Sequence, residues 1–185
     1  EQGRPTMRTE YFRAAFEAVK EATEKAGVDV IVNLTTSGGE NDDNLRMEHL
    51  RQLRPEVCSY DAGTFNWALG GVFENRPDFL VELGKTTQQF DIKPEIEVFD
   101  AGMLSNAIAY SNYKVLKTPC HFQFVLGVLG AMDGSVENLE YLHRRLPEGS
   151  TWSVTGIGRA HMPMLLTGLA LGCDGLRVGL EDNLY

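Results

Sequence analysis

The sequence predicts an α/β protein of the (β/α)8 TIM-barrel class, and three observations predict it. Six runs rich in apolar or β-branched residues, opening near Val28, Val57, Pro94, His121, Thr151 and Gly175, recur at about thirty residues, the period of a βα unit. A helical pattern lies between each pair. Polar or glycine-containing loops follow every run, and no Gly-x-Gly-x-x-Gly follows the first, which favours a barrel over a doubly wound dinucleotide sheet. A barrel closes with eight strands and six are visible. The first two strands and the last helix are therefore expected outside residues 1–185, which then form one barrel domain truncated at both ends.

In chain order, Phe12, Ala15, Phe16, Val19 and Ala22 stand at helical spacing within Thr9 to Lys25, and Gly27 follows where a helix would cap. The β-branched run Val28 to Leu34 predicts a strand that breaks into Thr35-Thr36-Ser37-Gly38-Gly39. Asn44 to Leu53 predicts a helix ended by Pro55, and Val57 to Asp61 a second strand running into Ala62-Gly63-Thr64. Pro77 suits a first helical residue, and Phe79, Leu80, Leu83 and Phe90 carry that helix to about Asp91. In the strand Pro94 to Phe99, alternation sets Glu95, Glu97 and Phe99 on one face and Ile96 and Val98 on the other. Met103 to Leu116 is helical, His121 to Leu126 is a strand, and Ser135 caps a helix carrying Val136, Leu139 and Leu142. A strand from Thr151 to Thr155 and a helix striped by Met162, Leu165, Leu166 and Leu169 complete the alternation before the final run.

Of 185 residues, 43% are hydrophobic and 23% charged, an ordinary globular balance. A net charge of -9 without a basic cluster argues against nucleic acid and acidic lipid as partners. No apolar run reaches the roughly 18–20 residues of a membrane span, and the first residues lack a signal-peptide core, so a cytoplasmic location is expected. Cys58, Cys120 and Cys173 are far apart in apolar runs and read as buried thiols.

The chemistry gathers in Gly172 to Asn183. Period-two alternation places Arg177, Gly179 and Glu181 on one face and Val178 and Leu180 on the other, with Asp182 adjoining at the strand end. A charge on the inner face of an apolar strand needs a partner or a ligand. If strand ends converge, Thr36, Ser37, Ser59, Gly63, Thr64, Glu97, Asp100, Arg177, Glu181 and Asp182 surround one mouth. The Thr-Thr-Ser-Gly-Gly loop can grip an anion through hydroxyls and main-chain amides, although an ordinary strand-to-helix turn reads the same. Glu97 and Arg177 can pair across the lumen, whether for structure or for catalysis. The four histidines show no metal-type spacing. His49 and His143 are expected on helix surfaces, and His121 and His161 as capping or core groups.

Thr35-Thr36-Ser37-Gly38-Gly39, Arg54-Pro55-Glu56 leading to Asp61-Ala62-Gly63-Thr64-Phe65-Asn66, Pro94 to Met103, Phe122 to Val128 and Arg177 to Asn183 together resemble the β-keto acid cleavage enzymes, whose founding activity is 3-keto-5-aminohexanoate cleavage. The resemblance spans essentially the whole chain. It implies a zinc-dependent (β/α)8 barrel that converts a 3-keto acid and acetyl-CoA into acetoacetate and a new acyl-CoA, usually as a homotetramer. It carries the metal role to Glu181, with a His-x-His pair expected upstream of Glu1. The base role falls on Asp182, oriented by Arg177 and Glu97. Substrate contacts fall on Thr36, Ser37, Gly38, Gly39, Ser59 and Gly63. Two other classes stay open: a metal-dependent aldolase or isomerase on the same barrel, and a non-catalytic barrel remnant that binds an acyl ligand.

Overall fold

The structure, a computed structural model, describes residues 5–38 and 42–184. In chain order its elements are α1 (Thr9–Ala26), β1 (Asn33–Leu34), α2 (Asp43–Leu53), β2 (Val57–Asp61), β3 (Phe65–Trp67), β4 (Gly71–Phe73), α3 (Pro77–Phe90), β5 (Lys93–Val98), α4 (Ala101–Asn112), β6 (His121–Leu126), α5 (Val136–His143), β7 (Thr151–Gly156), α6 (His161–Ala170) and β8 (Gly175–Leu176). A single 3₁₀ turn, Gly158–Ala160, leads into α6.

Local chemistry sets most boundaries. Gly27 takes the left-handed conformation that closes α1, and Pro77 opens α3. Asp42, Asp100 and Ser135 each accept a main-chain N–H from the first turn of α2, α4 and α5, satisfying donors the helix itself leaves over.

The six main strands are all parallel and lie side by side in the order β1-β2-β5-β6-β7-β8. Spatial order follows chain order without reversal, so the sheet has no topological switch point, and it winds one way as a barrel wall does. The predicted barrel class holds, with six strands of the wall present. The outward face carries Tyr60, Ile96, Val98, Phe122, Phe124 and Val154, all fully buried under the helices. The inward face is polar: Ser59, Glu95, His121 and Thr151 form one cross-strand layer, and Asp61, Glu97, Gln123 and Ser153 the next.

Three boundaries and one added hairpin correct the sequence expectations. The strand predicted from Val28 shrinks to Asn33–Leu34, and Val28, Val30 and Ile31 are exposed. Its register sets Asn33 against Val57, so earlier residues would face Pro55, which has no N–H, and Arg54, whose φ of 48° caps α2. The last strand ends at Leu176 instead of reaching Leu180. Gly179, at φ 145°, turns the chain so that Asp182 and Asn183 donate back to its carbonyl. Helix α4 stops at Asn112, because Lys114 adopts a φ of 62°. The hairpin β3–β4 was not expected at all. It stacks Phe65, Trp67 and Phe73 beside Phe99, with ring centroids 5.1–6.2 Å apart.

Candidate active site

Adjacent parallel strands whose registered residues point the same way bring polar side chains shoulder to shoulder. Asp61 of β2, Glu97 of β5 and Gln123 of β6 are registered neighbours on the lumen side. They line a cavity of about 1340 Å³ that also receives Ser37, Ser59, Glu95, Arg177, Glu181 and Asp182.

Arg177 is the hub. Its Nε and Nη2 donate to the two oxygens of Asp182, both at 2.9 Å, and Nη2 also lies 3.2 Å from Glu181. Nη1 donates to Gln123 Oε1 at 2.8 Å and to Glu97 Oε2 at 3.2 Å. Four of the five guanidinium N–H groups therefore have a hydrogen-bond acceptor, and Glu181 adds an ion pair at the Nη2 side. Burial alone would lower the Arg177 pKa, but Glu97, Asp182 and Glu181 outweigh it and raise it, so the cation is permanent. Burial, reinforced by Asp61, pushes the Glu97 carboxyl well above the usual carboxylate range, with Arg177 opposing. Asp61 is raised too, by burial, against the hydrogen bond from Ser37 and the charges of Arg46 and Arg177. The Asp182 side chain is 5% exposed beside them, whereas that of Glu181 is 84% exposed.

The Thr35–Gly38 segment is tied down on both sides. Ser37 Oγ donates to Asp61 Oδ2 at 2.6 Å, the Thr36 N–H donates to Ser59 Oγ at 2.9 Å, and Thr36 Oγ1 donates to the Ser59 carbonyl at 3.0 Å. Thr36 is fully buried and braces the loop, while Thr35 and Ser37 line the cavity. A side chain on Gly38 would strike Met7, at 2.5 Å. Gly39 lies outside the described residues. Gly63 stands behind the wall, its carbonyl accepting from Asn75 Nδ2 at 3.2 Å. From α2, the buried Arg46 donates to the Thr36 carbonyl at 2.8 Å and to Asn75 Oδ1 at 2.5 Å, with its guanidinium 3.7 Å above Phe79. Burial draws its pKa down, and Asp61 and Asp43 oppose this.

The cavity wall carries six carboxylates, Asp61, Glu95, Glu97, Asp174, Glu181 and Asp182, against Lys93 and Arg177. That excess suits a cation. Among the described residues, however, no group of three or more His, Cys, Asp or Glu side chains could hold a metal. Glu181 is the expected ligand, but its nearest charged contact is Arg177, so these residues do not make up a zinc site by themselves.

Sequence reasoning named Glu97, Arg177 and Asp182, which the fold joins, and passed over Asp61, Gln123 and Arg46. The signal for Asp61 was present, since it stands two residues beyond Ser59 on the same strand. The histidines divide. His121 sits in the lumen, with Nδ1 2.8 Å from Thr151 Oγ1, and His161 meets Asn183 at 2.8 Å. His49 corrects the surface assignment: it is fully buried, its ring stacked on Phe12 at 4.0 Å, and neither ring nitrogen has a hydrogen-bond partner among the described residues.

The family model described as beta-keto acid cleavage enzyme matches residues 1–185. The chain is 37% identical to the 3-keto-5-aminohexanoate cleavage enzyme of Fusobacterium nucleatum subsp. nucleatum, over all of this chain and 65% of that protein. It is 35% identical to the 3-oxoadipate:acetyl-CoA acetyltransferase of Cupriavidus necator, over 91% of this chain and 59% of that one. The chain thus spans less than two thirds of the length of these relatives. Among solved structures, the apo structure of ObcA superposes with a TM-score of 0.71 at 25% identity, covering 83% of this chain and 41% of that one.

Proposed function

The chain belongs to the β-keto acid cleavage enzyme family, and from that premise we propose that it converts a 3-keto acid and acetyl-CoA into acetoacetate and a new acyl-CoA. The observation that carries this is the Arg177–Asp182 pair at the C-terminal ends of parallel strands, where barrel enzymes keep their chemistry. Two hydrogen bonds from one guanidinium hold the Asp182 carboxylate in a fixed direction and leave its other lone pairs for a C–H proton.

Asp182 takes a proton from the carbon between the keto and carboxylate groups. The resulting enolate carbon attacks the acetyl carbonyl, and CoA leaves as the thiolate. The thiolate then adds to the original keto carbon, the bond between that carbon and the former nucleophilic carbon breaks, and acetoacetate departs as its carbanion regains the proton. Ser59, whose Oγ accepts the Thr36 N–H and keeps its own hydrogen, presents a hydroxyl to a substrate oxygen, and Ser37 does so once it releases Asp61, with Thr36, Gly38 and Gly63 shaping the loops behind them. Glu97, whose Oε2 accepts from Nη1, keeps Arg177 from being drawn wholly to one side. The aromatic surface of Phe65, Phe73 and Phe99 offers an apolar wall to the acyl portion.

Glu181 is the carboxylate we assign to zinc, on the acidic excess of the wall. We assign the chain to a homotetramer in the cytoplasm, which light scattering of the purified protein and fractionation of cells would check. Among the described residues no helix is long and apolar enough to cross a membrane. The decisive experiment is Asp182→Asn assayed for acetoacetate, with an acetyl-CoA omission control. A loss of at least about 100-fold is expected. Wild-type turnover in the variant, or product without acetyl-CoA, would overturn the assignment.

A further inference from the structure

We propose that Gln123 is a positioning residue that aims Arg177 and, through it, Asp182; the inference rests on Asp182 being the base. Gln123 lies in the middle of β6, 3% exposed, and belongs to a segment that shows no chemistry of its own in the sequence. Of the four acceptors around Arg177, three are carboxylates and Gln123 is the neutral one. Its Oε1 accepts at 2.8 Å, closer than the 3.2 Å at which the same nitrogen meets Glu97.

The amide is held with one polarity. Its Nε2 donates to Glu95 Oε1 at 3.4 Å and to Ser153 Oγ at 3.3 Å. Rotating it by half a turn would set Oε1 against a carboxylate and Nε2 against guanidinium N–H groups, trading attraction for repulsion on both sides. Glu95 is fixed in turn by Asn33 Nδ2 at 2.5 Å. A connected network thus links Asn33, Glu95, Gln123, Arg177 and Asp182, from the edge strand β1 to the segment after β8, with Glu95 accepting from both neighbours and Arg177 donating to both. Without the Gln123 oxygen, Arg177 Nη1 is left with Glu97 alone, and the guanidinium can swing towards the exposed Glu181 and loosen its double grip on Asp182. Gln123 acts through Arg177 and makes no contact with reacting atoms.

The test compares Gln123→Met, Gln123→Glu and the pair Gln123→Glu with Glu95→Gln, assayed in the full-length metal-loaded enzyme per folded chain, alongside a crystal structure of Gln123→Met. In Gln123→Met, kcat is expected to fall at least about tenfold with KM for acetyl-CoA within about twofold, because orientation rather than binding is lost. Gln123→Glu is expected to fall further, since its second oxygen faces Glu95. The paired variant restores a donor opposite every acceptor, at unchanged net charge, and is expected within about threefold of wild type. Wild-type kcat in Gln123→Met, or no recovery in the pair, overturns the inference while leaving the proposed reaction standing. The crystal structure decides independently of activity, even if the wild type makes no acetoacetate. Both Arg177–Asp182 contacts are expected beyond 3.5 Å, and an undisturbed 2.9 Å pair rejects the role.

Discussion

Replacing His49 by phenylalanine is expected to remove a source of acid lability from the fold. The ring is buried and stacked on Phe12 at an interplanar angle of 10°, a geometry that phenylalanine can keep. Burial lowers the His49 pKa from 6.5 to about 4, and the nearby main chain of Thr35 opposes this only in part. The sign follows from proton counting. Between those two values the unfolded chain binds a proton at this position and the folded chain does not. Stability is therefore complete above pH 6.5 and is lost as pH falls towards 4. At pH 4.5 the two-state binding expression gives a loss of roughly 2.5 kcal/mol from this one ring, and at pH 7.5 almost none. For a chain of 185 residues that corresponds to roughly 5–10 °C in Tm. Urea denaturation of wild type and His49→Phe, followed by circular dichroism from pH 4.5 to 7.5, isolates the effect, because every other titrating group is common to both proteins. The stability difference should swing towards the variant by about 2 kcal/mol as the solution is acidified. A difference that stays flat across this range would show that the ring is not held neutral, and the reasoning from burial would fail.

Asp61→Asn is expected to raise Tm at pH 7–8, because a carboxyl lifted by burial costs stability once it ionises. The gain should vanish as pH drops below about 4, where the acid is protonated in both states, and a scanning-calorimetry series in pH would show it. Gly84→Ala in α3 ought to stabilise a helix, yet here its methyl would sit 2.6 Å from both Val115 Cγ1 and the Val115 carbonyl. A loss of roughly 1–3 kcal/mol in chemical denaturation is expected instead. Glu181→Gln should weaken zinc binding at least about tenfold in a competition titration, while Tm in chelator stays unchanged because the side chain is largely exposed.

The barrel class was legible because each strand packs helices on its outer face, and apolar residues at every second position record that packing. Arg177, Glu97 and Asp182 were legible for the opposite reason, as charges set in apolar surroundings. Gln123 and Asp61 escaped because a polar residue on the lumen side of a strand looks like a solvent-facing one. Only the cross-strand register shows what it meets. His49 was misjudged because α2 buries Arg46 alongside Met47 and Leu50, so polarity along that helix does not report which side is wet. The β3–β4 hairpin has strands of three residues, too short for alternation to declare itself.

A guanidinium that already donates four hydrogen bonds and lies against a further carboxylate has little left to offer an arriving anion. An acid entering this lumen then leans on hydroxyl and peptide dipoles more than on that cation. Simple oxyanions in the buffer should then compete poorly for the pocket, and added salt should change the apparent affinity far less than an arginine-lined cleft would lead one to expect.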